Sequence, residues 1–174
     1  MSKIKKEDYY LDLARVVGQR STCFRNRLGA VIVRDDQIVA TGYIGAPRKT
    51  KDCLERKSCL RDELQIPHGQ RYEICRSVHA EQNAIINAAR AGVSILGGTM
   101  YLSGLAGNGS IIDAFPCFIC KKMIINSGLE NVVCSTKTGK IKIFSVKKWV
   151  NDWQTKDILD DKYQYGKDQN KKIN

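Results

Sequence analysis

Two short runs, Cys75-Arg76-Ser77-Val78-His79-Ala80-Glu81 and Pro116-Cys117-Phe118-Ile119-Cys120, decide how the rest of this chain is read. Each stands at the head of a segment with helical character. His79 to Ala91 (HAEQNAIINAARA) is rich in alanine and stops before Gly92. Cys117 to Ser127 (CFICKKMIINS) follows Pro116, whose missing N–H costs little at a helix start, and is closed by Gly128. Cys117 and Cys120 are three residues apart, so a helix puts both sulfurs on one face. The positive end of that helix also favours thiolates. With His79 the two cysteines offer one imidazole nitrogen and two sulfurs, the donor types that zinc takes in a tetrahedron. Three protein ligands leave one corner for water, which is the arrangement of a catalytic and not a structural zinc.

Glu81 is two residues from His79, a poor spacing for sharing an ion along one helical face, and reads as a proton carrier beside the metal. The order His-Ala-Glu then Pro-Cys-x-x-Cys resembles the signature of zinc-dependent nucleoside and nucleobase deaminases. That resemblance implies a reaction in which zinc makes hydroxide available near neutral pH. Glu81 moves the water proton to a ring nitrogen of the base, hydroxide adds to the amine-bearing carbon, and Glu81 then assists the departure of ammonia. Either run alone is weak. A His-Ala-Glu often only opens a helix, and a Cys-x-x-Cys also serves redox pairs and structural zinc knuckles. Both in this order, each heading a helix, carry the inference.

At 174 residues the chain is expected to form one domain with a proper core. We expect residues 1–160 to hold it, with a cysteine-bearing loop insert at 45–76, an extended loop at 104–115, and a polar tail at 161–174. Charged residues at 27% and hydrophobic ones at 43% are ordinary for a globular protein. No apolar run approaches the roughly 20 residues of a membrane span, and the start MSKIKKEDYY lacks a signal-peptide core. A cytoplasmic protein with no membrane partner is expected. Seven cysteines without an export signal favour metal ligation over disulfides. The net charge of +11 fits either nucleic acid or an anionic small substrate. Because basic residues are interspersed with acidic ones, as in KDCLERKSCLRDEL, a basic surface with a nucleotide phosphate pocket is favoured over a polynucleotide track.

In chain order, Glu7 to Gln19 reads as a helix with Tyr10, Leu11, Leu13, Ala14 and Val17 on its apolar side. Leu28 to Arg34 and Gln37 to Tyr43 read as strands, and the two-residue gap Asp35-Asp36 suggests a hairpin. Thr99 to Ser103, Asn131 to Ser135 and Ile141 to Ser145 supply three more strands. Ser145 caps a last helix, SVKKWVNDWQTKDIL, with Val146, Trp149, Val150, Trp153 and Ile158 as its apolar stripe. Helices alternating with strands after a hairpin predict an α/β fold: a mixed, roughly five-stranded sheet covered on both faces.

Cys23, Cys53, Cys59 and Cys75 fall outside the catalytic triplet. Four thiolates clipping a long loop is the work of a structural zinc, which replaces a core the loop cannot build. His68 is an alternative ligand, or a turn residue in IPHGQ. The contrary reading is that some of these cysteines are free buried thiols. Cys134, inside a strand, reads as a small core residue. Phe115 either stacks on the base or packs beneath its own loop.

From about Glu7 to Ser135 the chain resembles the deoxycytidylate (dCMP) deaminases of bacteria and phages. The resemblance rests on RSTCFR, LGAVIVRDDQIVATGY, CLRDELQIPHGQRYEICRSVHAEQNAII, GVSILGGTMYLS and PCFICKKMIINSGL. It implies a three-layer α/β/α sandwich of the cytidine deaminase type, a homo-oligomer that is often a hexamer, and hydrolysis of dCMP to dUMP and ammonia. It also implies a catalytic zinc on His79, Cys117 and Cys120 with Glu81 as proton shuttle. A second zinc occurs in some members, which supports Cys23, Cys53, Cys59 and Cys75. Arg25 matches an arginine that contacts the nucleotide phosphate, and Ala80 is a further candidate substrate contact. Gly42-Tyr43-Ile44-Gly45 stands where the family commonly has Gly-Tyr-Asn-Gly, so Ile44 offers the nucleoside an apolar contact only. The stretch GLAGNGSIIDAF before Pro116 is longer than the family's usual link and is placed to cover the pocket or change its selectivity. Two other classes remain open from residues alone: a deaminase of bases in nucleic acid, like the tRNA adenosine enzymes, and a non-catalytic zinc-stabilised interaction protein.

Overall fold

The structure is a computed structural model that describes residues 3–155. Helix α1 (Lys6–Gly18) leads into the hairpin of β1 (Asn26–Arg34) and β2 (Gln37–Tyr43). Asp35 and Asp36 turn that hairpin with φ of 51° and 63°. Positive φ at both central residues belongs to the turn whose twist matches paired strands, and aspartate tolerates it better than most residues. Tyr10 Oη donates to the Asp36 carbonyl at 2.9 Å and ties the turn to α1.

The chain then makes two single-turn helices, α2 (Cys53–Arg56) and α3 (Leu60–Glu63), and a 3₁₀ turn at Tyr72–Ile74. After these come α4 (Ala80–Arg90), β3 (Thr99–Ala106), α5 (Phe118–Asn126), β4 (Asn131–Ser135), β5 (Ile141–Ser145) and α6 (Val146–Trp153). The five strands form one sheet in the order β2-β1-β3-β4-β5. Only β3 and β4 run parallel; the other pairs are antiparallel. A parallel pair needs a crossover, and α5 supplies it.

Side-chain alternation along β1 divides the core. Val31 and Val33 point toward Tyr10, Leu11 and Ala14 of α1. Ala30 and Ile32 join Met100, Leu102, Val132 and residues of α4, α5 and α6 on the opposite face. The result is the expected α/β/α sandwich with a mixed five-stranded sheet.

Gly42 of β2 is what lets α4 sit so low on this sheet. A Cβ there would overlap the Ala84 nitrogen and the Ala80 carbonyl oxygen. Two asparagines of α4 then reach the edge strand: Asn83 Nδ2 donates to the Tyr43 carbonyl at 2.8 Å and Asn87 Nδ2 to the Thr41 carbonyl at 2.7 Å. The helix that begins beside His79 is thus fixed in height and rotation by one glycine and two side-chain amides.

Two elements differ from the sequence expectation. Strand β3 runs to Ala106 and not Ser103, because Asn26, Arg27 and Leu28 of β1 extend to pair with Ala106, Leu105 and Gly104. Gly104 in that stretch hid the continuation. The stripe of α6 is only half used: Val146 and Trp149 are buried, whereas Val150 and Trp153 are 37% and 39% exposed. Ile158 and the expected tail at 161–174 lie outside the described residues. No helix among those described is long and apolar enough to cross a membrane.

Candidate active site

Both candidate metal-binding runs sit at helix N-caps. His79 is the N-cap of α4 and Cys117 the N-cap of α5, each with extended backbone before the first turn. The Gln82 side chain accepts the His79 backbone N–H at 3.0 Å, closing one orphan donor of that end. The unpaired N–H groups of two helices therefore converge where the thiolates lie.

His79 Nδ1 is 3.5 Å from Cys117 Sγ and 3.4 Å from Cys120 Sγ. Zinc–nitrogen and zinc–sulfur bonds of the usual length at a tetrahedral angle put nitrogen and sulfur about 3.6 Å apart. The three donor atoms all lie within 4.8 Å of one another, the one such group of histidine, cysteine or acidic side chains among the described residues. Donor type, number and spacing fit zinc. The thiols respond to this packing. A hydrogen bond from Cys120, joined by His79, pulls the Cys117 thiol well below the usual thiol range against the opposing effect of burial. Cys120 is pushed up by its bond to Cys117 and by burial. Burial works against the His79 cation, but Cys117 and Glu81 outweigh it and raise the imidazole.

Glu81 lies in the first turn of α4 and is 3% exposed. Burial pushes its carboxyl up, while His79 pulls it partly back. Its Oε2 is buried with no hydrogen-bond partner in the protein. A buried polar atom left unpaired is costly and rare, so this oxygen is reserved for something the fold itself does not supply.

His79, Glu81 and Cys117 line a cavity of about 810 Å³. Arg25, Ile44 and Phe115 line it too, so three of the four candidate substrate contacts share the space with the metal donors. Ala80, the fourth, is fully buried with its methyl in the core and is not part of the cavity wall. Phe115 packs edge-on against Phe144 at 5.3 Å while still facing the cavity. The end of β3 at Ala106 and the extended loop after it form another wall, through Ile111, Ile112 and Asp113. The loop is anchored at both ends: Gly107 N donates to the Arg25 carbonyl at 2.8 Å, and Lys137 N donates to Asp113 Oδ1 at 3.0 Å.

The cysteine-bearing insert is closed at its base by Gly45 and Val78, which exchange backbone hydrogen bonds at 2.8 and 3.3 Å. Cys23, Cys53, Cys59 and Cys75 all face the same cavity, and all are free thiols. Burial raises Cys23 and Cys53, and the other thiols of the set add to it. No three of them, with or without His68, come within the 4.8 Å spacing that His79, Cys117 and Cys120 achieve. Burial and the guanidinium groups of Arg25 and Arg61 lower the His68 imidazole, which places it in the field of those arginines.

Two residues of the insert escaped the sequence reading. Arg61, in the run LRDE, is 5% exposed although Leu60, Asp62 and Glu63 around it are exposed. Tyr72 packs edge-on against His79 at 4.7 Å, and burial pushes its phenol up to about 12. Neither has a periodic signal. The one available hint was that CLRDELQIPHGQRYEIC lies between cysteines and so folds against them.

Residues 4–136 match the model of the cytidine and deoxycytidylate deaminase zinc-binding region. The chain belongs to this family. Among relatives of the cytidine and deoxycytidylate deaminase family, the deoxycytidylate deaminase of Schizosaccharomyces pombe is 33% identical over 132 residues, 75% of this chain and 37% of that protein. The deoxycytidylate deaminase of Mycobacterium phage D29 is 33% identical over 138 residues, 76% of this chain and 96% of that protein. The present chain therefore spans about a third of the yeast relative's length and nearly all of the phage one's. The solved dCMP deaminase of cyanophage S-TIM5 superposes with a TM-score of 0.53 at 27% identity, covering 75% of this chain and 82% of the other. A cytidine deaminase from Burkholderia pseudomallei, at 16% identity and a TM-score of 0.56, shares the fold.

Proposed function

We propose that this chain is a zinc-dependent hydrolase that converts dCMP to dUMP and ammonia. One observation carries the reading: a buried carboxylate, Glu81, with an unpartnered oxygen, opens into the same cavity as a His-Cys-Cys donor set of zinc spacing. A structural zinc has no need of that carboxylate. The family's dCMP deaminases, one of them solved with dCMP and dUMP, support the choice of substrate.

Zinc, when bound, supplies the Lewis acidity that brings water toward hydroxide near neutral pH. His79 Nδ1 and the sulfurs of Cys117 and Cys120 are the groups to hold it. The Glu81 carboxylate takes a proton from the attacking water and delivers it to the ring nitrogen beside the amine-bearing carbon. The emptied carboxylate then takes the proton of the hydroxyl now on that carbon and hands it to the amine, so that the C–N bond breaks, the carbonyl forms and ammonia departs. Ile44 and Phe115 give the base apolar walls and keep bulk water from the reacting carbon. Arg25 serves the phosphate.

The wider assignments follow as part of this proposal. We place the single deaminase domain at residues 1–160, of which the structure describes 3–155, with the 45–76 insert and the 104–115 loop. The protein acts in the cytoplasm, consistent with its seven cysteines (all free among the described residues), and assembles as a homo-oligomer. A second, structural zinc draws Cys23, Cys53, Cys59 and Cys75 together. Their shared cavity wall and mutual electrostatic influence support it, although their sulfurs stand wider apart than bound metal sets them.

A panel of dCMP, CMP, dCTP, deoxycytidine and guanine, followed by ultraviolet absorbance and ammonia release, tests the reading. We expect dCMP to be consumed fastest. Zinc-loaded, folded protein that releases ammonia from none of them, or that instead binds tRNA in a salt-sensitive way and deaminates it, would overturn it.

A further inference from the structure

We propose that Arg61, acting with Arg25, seats the substrate's 5′-phosphate and is the residue by which this enzyme selects a nucleotide over a nucleoside. The inference rests on the deaminase reading of the same cavity. Resemblance points to Arg25 alone; Arg61 emerges from the fold.

Arg61 belongs to α3 in the insert, is 5% exposed, and lines the cavity that holds His79 and Glu81. Its Nη2 donates to the Pro67 carbonyl at 3.0 Å, but its Nε is buried without a partner. Among the described residues it makes no ion pair. Arg25, with a side chain 10% exposed, donates from Nε to Asp62 Oδ1 and from Nη2 to the Ile66 carbonyl, both at 2.7 Å. Its Nη1 is likewise buried and unpartnered. Nearly every buried donor in a folded protein finds an acceptor, and an unpaired one on a permanent cation is dearer still. Two such donors, on two arginines bordering one cavity, suit an anionic group of the substrate. Asp62 neutralises only one of the two charges. The planar guanidinium fork matches phosphate oxygens better than any other side chain.

The location suits the chemistry. The Arg61 guanidinium lies over the Tyr72 ring at 4.8 Å, and Tyr72 in turn packs edge-on against His79 at 4.7 Å. One aromatic ring thus separates the anion seat from the metal donors, as the sugar of a nucleotide separates its phosphate from its base. A nucleoside reaching His79 and Glu81 leaves both arginine donors bare, and a nucleotide satisfies them. The packing also fixes the seat: the Pro67 carbonyl and the Tyr72 face hold the guanidinium before substrate arrives, so little ordering is lost on binding.

The test compares dCMP with deoxycytidine in wild type, Arg61→Met and Arg61→Lys, with zinc content and circular dichroism confirming the fold. Loss of a charge-assisted hydrogen bond to phosphate is expected to lower the ratio of kcat/KM for dCMP over deoxycytidine by about 10- to 100-fold in Arg61→Met. The loss should appear mainly in KM, and Arg61→Lys should recover part of it. Inorganic phosphate should inhibit wild type competitively against dCMP, which keeps the idea testable if Arg61→Met does not fold. An equal fall for both substrates would make Arg61 a strut of the insert and sink the proposal, as would wild type indifferent to inorganic phosphate. Wild type inert toward both substrates would instead be a failure of the deaminase reading itself.

Discussion

Gly42 of β2 and Ala84 of α4 meet backbone to backbone: a Cβ on Gly42 would overlap the Ala84 amide nitrogen and stand 2.9 Å from its Cα. Only the absence of a side chain at position 42 permits this approach, and α4 is the helix that presents His79 and Glu81. Gly42→Ala is therefore expected to push α4 off the sheet and to destabilise the fold by about 1–3 kcal/mol, the range for overpacking a tight interior. Urea unfolding should read the stability loss, and zinc content and turnover should fall with it. A variant as stable and as active as wild type would mean that α4 has slack the structure does not show.

Glu81→Gln separates chemistry from architecture. The amide keeps the shape of the carboxyl but cannot carry protons, so ammonia release from dCMP should drop by about 10²- to 10⁴-fold. Zinc should be retained, because His79, Cys117 and Cys120 are untouched. The melting temperature should hold or rise, since the carboxylate pays for its burial with an oxygen that nothing in the protein satisfies. Equal turnover in wild type and variant would remove Glu81 from the reaction.

Local chemistry made much of this protein legible before its structure. Asp35-Asp36 between two apolar runs gave the hairpin, Pro116 and Gly128 bounded α5, and the spacing of Cys117 and Cys120 fits both sulfurs lying beside the His79 ring. These features depend on neighbours in the chain. Arg61 and Tyr72 do not: the burial of Arg61 and the half-burial of Tyr72 come from an insert folding back until its ends meet at Gly45 and Val78. A charged residue among charged residues carries no mark of being inside. The continuation of β3 was hidden for a similar reason, because Gly104 looks like a break until Leu28 of β1 is seen to pair with it. Ala80 lies on the His79 helix as expected, but its side chain turns to the core and not to the cavity.

The two groups of cysteines should separate under metal analysis. Wild type is expected to carry two zinc ions per chain, and Cys23→Ser one, with lower resistance to urea and only a modest change in kcat. Cys117→Ser should instead lose the catalytic ion and all turnover. Chelation should remove activity, and added zinc should restore it. A wild-type count of one, unchanged in Cys23→Ser, would end the case for the second ion and leave Cys23, Cys53, Cys59 and Cys75 as free thiols.

The face of the sheet away from the site has its own pH dependence. Tyr10 and Tyr101 pack with ring centroids 4.9 Å apart between α1 and the sheet. Burial raises both phenols above their ordinary value of 10.0; Asp36 raises both further, Glu7 adds to this at Tyr101, and Lys6 works against it at both. A phenol whose pKa is higher folded than unfolded holds its proton longer in the native state. The native state then binds more protons between the two values, so stability is complete below pH about 10 and falls as pH rises beyond it. Urea melts between pH about 9 and 11.5 should show this decline. Tyr10→Phe should be less stable at neutral pH by roughly 1 kcal/mol, for the lost hydrogen bonds to Asp36, yet decline less steeply with alkali. A variant that tracks the wild-type slope would place the alkaline transition elsewhere in the molecule.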